Sequence, residues 1–305
     1  MDGAVAVPVR THDGWTSRAD LITAAERANG TLAPVPVVLL HGLSQQRHFW
    51  GPVVRRMGTR PVLVIDQRGH GESDAPADAD FSLDTCARDV VMAMDAAGVA
   101  RAVIVGHSWG AAVALRVAAL HSDRASSAVL IDGGLWTPAD LGDRASVRER
   151  LRPPALGVSP DVLWGWFAEG DFAPWWNPEI QDALAPTFVA DEDGLLRTRI
   201  GMDRHMAVLD GLLDARPDID LAATATSRLP LWVVSCEPRP TSAQDAVPGD
   251  PLTTAWARAR REAVESTLSL PHVTTLRWTG ALHDVPLQWP GLVAGLIDQV
   301  AEGGR

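Results

Sequence analysis

The sequence predicts an α/β chain, a mostly parallel central sheet covered by helices. Three observations predict it. Short β-branched runs alternate with longer helical patterns, several of those runs are apolar at every position, and one run passes through a Gly-rich turn directly into an Ala-rich helix. Helices cover a parallel sheet on both faces, so its strands lose the polar alternation of a half-exposed sheet.

Taken in order, the strands are expected at 5–10, 35–40, 62–65, 102–105, 128–131, 231–234 and 273–278. Helices are expected at 83–97, 111–120, 254–268 and 292–301. In the second of these, Ala112, Leu115, Ala119 and Leu120 fall on roughly one face. The stretch 136–223 breaks the alternation. It reads as helices and loops with no strand, and it carries Trp136, Trp164, Trp166, Phe167, Phe172, Trp175, Trp176 and Phe188. We read it as a helical cap inserted into a core formed by 1–135 and 224–305. No internal repeat is visible.

Composition bounds the function. The 305 residues are 46% hydrophobic and 21% charged, enough apolar material for a core and too much for a disordered chain. Asp and Glu total 38 against 27 Lys and Arg, a net charge of −11, which disfavours nucleic acid and anionic membranes as partners. Lys is absent, so every basic side chain that titrates high is Arg, and chemistry through a Lys Schiff base or a phosphate-binding Lys is excluded. That absence and the negative charge also argue against an anionic substrate. Cys86 and Cys236 are too few for a disulfide framework or a Cys-rich zinc site and read as buried thiols. The first residues have no basic stretch followed by an apolar one, and no run approaches a membrane span. A cytoplasmic location is expected, and a homodimer is left open.

The chemistry gathers around Gly106-His107-Ser108-Trp109-Gly110, between the strand at 102–105 and the Ala-rich helix. A G-x-S-x-G in strand–turn–helix context is a nucleophile elbow: small residues let strand and helix approach, and the Ser hydroxyl is left exposed at the carboxyl edge of the sheet. Ser108 is the expected nucleophile. Acyl transfer needs backbone N–H donors aimed at the developing oxyanion. Trp109, after the nucleophile, offers one, and Leu43 in the turn His41-Gly42-Leu43 after an earlier strand offers the other. Of the nine His, His283 follows the strand at 273–278 through a short loop, so it can reach the same sheet edge as a general base. His12, His48, His121 and His272 read as surface or structural, and His107 as packing inside the elbow.

The elbow, the His-Gly turn, the order Ser…Asp…His and the segment Asp66-Gln67-Arg68-Gly69-His70-Gly71-Glu72-Ser73 resemble the α/β-hydrolase fold family over 35–301, most weakly in the cap. The resemblance implies that the Asp66–Ser73 turn is structural. It also implies an acid after the strand that follows the cap, but here that turn reads Ser235-Cys236-Glu237-Pro238-Arg239-Pro240. The alternative is Asp132, at the end of the strand after the elbow helix, where a branch of the family that includes zearalenone lactonases places its acid. Asp132 is the expected acid and Glu237 the alternative. Dehalogenases and epoxide hydrolases of this fold carry Asp at the nucleophile position, so Ser108 points instead to acyl transfer through an acyl-enzyme.

No metal or cofactor is expected. Gly42, Trp136, Trp164, Phe167, Trp176 and Met206 are the expected substrate contacts, because an aromatic and Met-rich cap suits a bulky apolar group. Trp164 and Phe167 share a helix face, and Met202, Met206, Leu209 and Leu213 form a second stripe. The resulting expectation is a serine hydrolase of apolar esters or lactones, of which a zearalenone-like macrolactone is one. The alternatives are a C–C bond hydrolase of vinylogous diketones and a non-catalytic ligand-binding protein on the same fold.

Overall fold

The apolar runs assemble one eight-stranded sheet. The computed structural model describes residues 3–23, 34–237 and 251–303. Its strands are β1 (Ala4–Arg10), β2 (Thr16–Ile22), β3 (Val37–Leu40), β4 (Val62–Asp66), β5 (Ala102–His107), β6 (Ala125–Ile131), β9 (Leu231–Glu237) and β10 (Val273–Thr279). They lie in the order β1-β2-β4-β3-β5-β6-β9-β10. Only β1 with β2 and β2 with β4 pair antiparallel; the remaining pairs are parallel. The parallel strands therefore end on one edge, where ligands bind in open α/β sheets.

Successive residues of the buried strands serve opposite faces. Val38, Leu40, Ile104 and Leu130 pack under α2 (Leu83–Ala96) and α3 (Trp109–Leu120), which follow the short α1 (Gly51–Val54). Val37, Leu39, Val103, Val105, Val129 and Ile131 pack on the other face. Each such side chain contributes about 1.5–3 kcal/mol on full burial.

Between β6 and β9 the chain forms α4 (Arg144–Arg150), α5 (Pro160–Glu169), α6 (Pro178–Leu184), α7 (Met202–Leu213) and α8 (Pro217–Ser227). This segment also holds a two-stranded hairpin of β7 (Phe188–Ala190) and β8 (Leu196–Thr198), which corrects the expectation of a strand-free cap. Strands of three residues give no alternation long enough to read. The expected cap boundary at 223 falls inside α8, which packs on the core helix α3 and ties to it through the Arg116–Asp220 ion pair. After β9 come α9 (Pro251–Thr267), then β10, α10 (Val285–Gln288) and α11 (Pro290–Gly303), whose Val293, Leu296, Ile297 and Val300 cover the second sheet face. Among the described residues, no helix is long and apolar enough to cross a membrane.

The family-like turn after β4 is a hub of buried charge. Arg68 holds Asp89 on one edge of its guanidinium, at 2.7 and 2.9 Å, and Asp13 on the other, at 2.5 and 3.2 Å. The carboxylate of Asp66 accepts from the backbone N–H of Arg47 at 2.7 Å and of Glu72 at 2.8 Å, and pairs with the Arg47 guanidinium. Cys86 and Cys236 are both free and buried, and burial pushes both thiols well above their ordinary range.

Two glycines are dictated by close approach. A Cβ on Gly106 would lie 2.0 Å from the carbonyl oxygen of Gly110, and one on Gly110 would lie 2.4 Å from that of Leu40. Backbone cannot yield there without separating β5 from α3. Gly106→Ala is expected to cost about 3 kcal/mol or more, roughly 6–12 °C in melting temperature for a chain near this size. Gly165→Ala, where nothing lies within 4 Å, should leave the melt unchanged or higher. Coincident thermal melts of Gly106→Ala and the parent protein would contradict this account.

Candidate active site

Four turns at the carboxyl edge of the sheet bring the expected residues together. Ser108 stands between β5 and α3 with φ 55° and ψ −120°, outside the regions that L-residues ordinarily occupy. A strained residue of this kind persists because its surroundings over-determine it. Its N–H donates to the carbonyl of Ile131 at 2.9 Å, and its own carbonyl accepts from Ala111 at 3.0 Å. Asp132 follows β6 with φ 50°, and its N–H donates to Val234 of the neighbouring strand at 2.8 Å.

His283 lies four residues past β10, and its ring bridges the other two. Its Nδ1 is 2.7 Å from Asp132 Oδ2, and its Nε2 is 3.0 Å from Ser108 Oγ. With Asp132 ionised, Nδ1 carries the proton and Nε2 presents its lone pair to the Ser hydroxyl. Asp132 Oδ1 accepts from the backbone N–H of Cys236 at 3.0 Å, and Arg260 Nη1 approaches Oδ2 at 3.3 Å. Burial pushes the Asp132 pKa up, but the His283 hydrogen bond and the two neighbouring positive charges outweigh it and hold it below its ordinary value. Burial pulls the His283 pKa down, while the Asp132 hydrogen bond and the charges of Asp284 and Asp132 raise it; the upward set wins.

The expected alternative acid, Glu237, is the last residue of β9 and, among the described residues, its carboxylate pairs with Arg277 at 3.8 Å. Pro238, Arg239 and Pro240 lie outside the described residues. Asp284 accepts from Gln45 Nε2 at 2.9 Å.

The oxyanion side is built by β3's turn. Gly42 packs so closely on the elbow that a Cβ there would come 3.1 Å from Ser108 Cβ, and its N–H donates to Gln45 Oε1 at 2.8 Å. Leu43 and Trp109 both border the cavity beside Ser108, and among the described residues no group accepts from their backbone N–H. The next residue, Ser44, has φ 67°; its N–H donates to His70 Nε2 at 3.3 Å, and its hydroxyl meets His205 Nδ1 at 2.7 Å. His70 in turn stacks on the Trp109 ring, with centroids 5.0 Å apart. The Asp66–Ser73 turn thus supports the oxyanion loop from below. Burial pulls the pKa of His70 down to about 3 and that of His41 to about 4, so both are neutral donors and acceptors.

A cavity of about 360 Å³ opens over Ser108. Trp136 lines it, as the sequence suggested, and forms an edge-on pair with Trp256 at 4.4 Å. Trp164, Phe167 and Trp176 do not border it. They stack on one another, at centroid distances of 5.5 to 6.2 Å, with Phe188 against Trp164, and form an aromatic cluster of the cap. Met206 is buried with Val147, Leu209 and Leu213; of that stripe, Leu209 reaches the cavity. The sequence reading missed His205, Trp256 and Arg260, which also line the cavity. Arg260 lies in the run Arg258-Ala259-Arg260-Arg261-Glu262, which looks like a solvated helix face, so no local signal marks it.

Among the described residues, donor atoms of His107, His283 and Asp284 lie within 4.8 Å of one another. They do not form a metal site. His107 Nε2–H donates to the His283 carbonyl at 2.8 Å, and both ring nitrogens of His283 are engaged.

Fold and site together define an α/β-hydrolase-fold protein. The profile described as alpha/beta hydrolase fold matches residues 35–174. The chain is 32% identical over 134 residues to lipase LipV of Mycobacterium tuberculosis, covering 44% of this chain and 48% of that one. It is 39% identical over 97 residues to epoxide hydrolase B of the same organism, covering 30% and 27%. The chain therefore spans about half the length of the first of these relatives and about a quarter of the second. The crystal structure of E-2-(acetamidomethylene)succinate hydrolase superposes with a TM-score of 0.70 at 20% identity, over 98% of this chain and 99% of that one.

The site carries its own electrostatic signature. In an NMR titration, His283 is expected to titrate above the 6.5 of an ordinary histidine. Asp132→Asn should lower the midpoint, and Glu237→Gln should leave it in place. A midpoint that responds to Glu237 and ignores Asp132 would overturn the reading of this hydrogen bond.

Proposed function

We propose that this chain is a serine hydrolase of carboxylic esters or lactones whose substrate carries a bulky apolar part. One observation carries the reading: the unbroken Ser108–His283–Asp132 hydrogen-bond chain at the edge of an apolar cavity. Ser108 Oγ attacks the carbonyl carbon as its proton passes to His283 Nε2. Asp132 keeps the imidazole in the required tautomer and stabilises the imidazolium. The N–H groups of Leu43 and Trp109 receive the oxyanion, a role worth about 2.7–4 kcal/mol per donor in comparable sites. His283 then returns the proton to the leaving oxygen. Water, deprotonated by the same imidazole, hydrolyses the acyl-enzyme.

Within this class, the acid after β6 favours an ester or lactone over a vinylogous diketone, whose hydrolases keep their acid after the later strand. A panel of aryl esters, macrolactones and diketones tests the choice. Preferential turnover of diketones would sink the ester and lactone reading.

Ser108→Ala and His283→Ala should each lower kcat by at least two decades, and the double variant should be no slower than the worse single one, because the two act as a unit. Multiplicative losses would place His283 outside the chemistry. Asp132→Asn should cost about three to four decades in kcat, while Glu237→Gln stays within tenfold of the parent rate.

Because only neutral imidazole can accept the Ser108 proton, kcat/KM should fall as pH drops through the His283 pKa. That pKa is raised, so the acid limb should lie above the value for an ordinary histidine. A pH profile flat down to pH 5 would remove His283 as the base.

A further inference from the structure

The net charge of the chain is a poor guide to the charge inside its cavity. Among the described residues that line it, Arg260 is the one Arg; the lining beyond the triad and His205 is apolar, chiefly Trp136, Trp256, Leu209 and Leu212. Arg260 stands on α9, and its side chain is 23% exposed. A single nitrogen, Nη1, faces Asp132, and the contact is long at 3.3 Å. Among the described residues, Nη2 and Nε have no partner. The other arginines of the core are held more tightly: Arg60 Nε meets Asp298 at 2.7 Å, and Arg68 is saturated on both edges.

The Asp132 carboxylate does not consume Arg260. It already accepts from His283 Nδ1 and from the N–H of Cys236. A guanidinium has five N–H donors in a planar fork and accommodates a carboxylate on each edge. This chain contains that arrangement: Arg68 lies between Asp13 and Asp89.

We propose that Arg260 is a specificity residue that reads a carboxylate on the substrate, and that the preferred ligand joins a hydrophobic body to an anionic group distant from the scissile carbonyl. The guanidinium lies on the Asp132 side of the imidazole, and Ser108 Oγ on the Nε2 side, so the carboxylate and the reacting carbonyl occupy different parts of one cavity. Trp136 and Trp256 take the hydrophobic body. A neutral ligand of the same shape would cover the open edge of the guanidinium without supplying an acceptor. Burying such donors unpaired carries a penalty that a carboxylate avoids. For the word substrate, the proposal rests on the serine-hydrolase reading; the anion site stands on the geometry of Arg260 alone.

The test separates the two. Calorimetry compares 4-phenylbutyrate with 4-phenylbutan-1-ol, neither of which can be hydrolysed. The carboxylate should bind the parent protein at least tenfold more tightly, and Arg260→Gln should bring the two within about threefold. Arg260→Lys, which keeps the charge and loses the fork, should fall between.

In parallel, kcat/KM is measured for mono-4-nitrophenyl glutarate and 4-nitrophenyl pentanoate. Any effect of Arg260 on the triad is common to both esters, so their ratio isolates the carboxylate. It should exceed ten in the parent protein, mainly through KM, and collapse in Arg260→Gln. Equal binding of acid and alcohol by the parent protein, or a preference that survives Arg260→Gln, overturns the proposal even if both esters are hydrolysed. Selective binding of the acid with no turnover of either ester supports the anion site and overturns the hydrolase reading instead.

Discussion

The rest of the structure depends on the contact between the end of β5 and the start of α3. Gly106 and Gly110 let the strand and the helix touch, and Gly110 also lies against the carbonyls of Leu40 and His41, where β3 ends. Ser108 is forced into its left-handed turn by that contact. The same contact fixes the distance between Ser108 and the loop carrying Leu43. It also brings the N-terminal end of α3, with the partial positive charge of a helix start, to Ser108. A larger side chain at either glycine would dislodge Ser108, the Leu43 loop and the start of α3 together.

Around this contact the protein keeps its buried imidazoles neutral. His41, His70 and His107 are enclosed, and burial pulls all three well below the ordinary histidine value, to between about 3 and 4. As neutral rings each can donate from one nitrogen and accept at the other, which is how His70 receives the N–H of Ser44 while its Nδ1 donates to the Arg68 carbonyl at 2.8 Å. His283 departs from this pattern: its Nδ1 lies 2.7 Å from the Asp132 carboxylate. At His283 the Asp132 hydrogen bond and the charges of Asp284 and Asp132 outweigh burial, which dominates at the other three rings.

Much of this was legible in the sequence. The buried strands were visible because both their faces are apolar, and the elbow because its glycines are sterically required. β2 was not: Arg18 and Asp20 interrupt its pattern, and they are tolerated there because Arg18 Nε bonds Asp20 at 3.0 Å and Arg47 Nε bonds Asp20 at 2.8 Å. The cap's aromatic composition was evident, but which rings face the cavity was not. Aromatic side chains satisfy themselves by stacking, so Trp164, Phe167 and Trp176 pack together while Trp136, at the entrance to the cap, meets Trp256 from a helix more than a hundred residues away. Arg260 was invisible for the converse reason. A charged residue on a helix is ordinarily solvated, and only the tertiary arrangement directs this one inward.

The position of the acid follows from sheet order. β6 lies between β5, which leads into Ser108, and β9. Ile131 stands opposite both His107 and Val234, so the residue after it is level with the elbow on one side and with Ser235 on the other. A carboxylate there can take the N–H of Cys236, at the end of β9, on one oxygen and the imidazole on the other. Asp132 thus spans from the end of β9 to the imidazole from its place at the end of the strand between. Asp132 also needs its positive φ to turn toward that N–H, a conformation that Asp tolerates better than most residues. Glu237, at the end of β9, lies 3.8 Å from Arg277, whereas Asp132 reaches the imidazole at 2.7 Å, so of these two carboxylates it is Asp132 that bonds the ring.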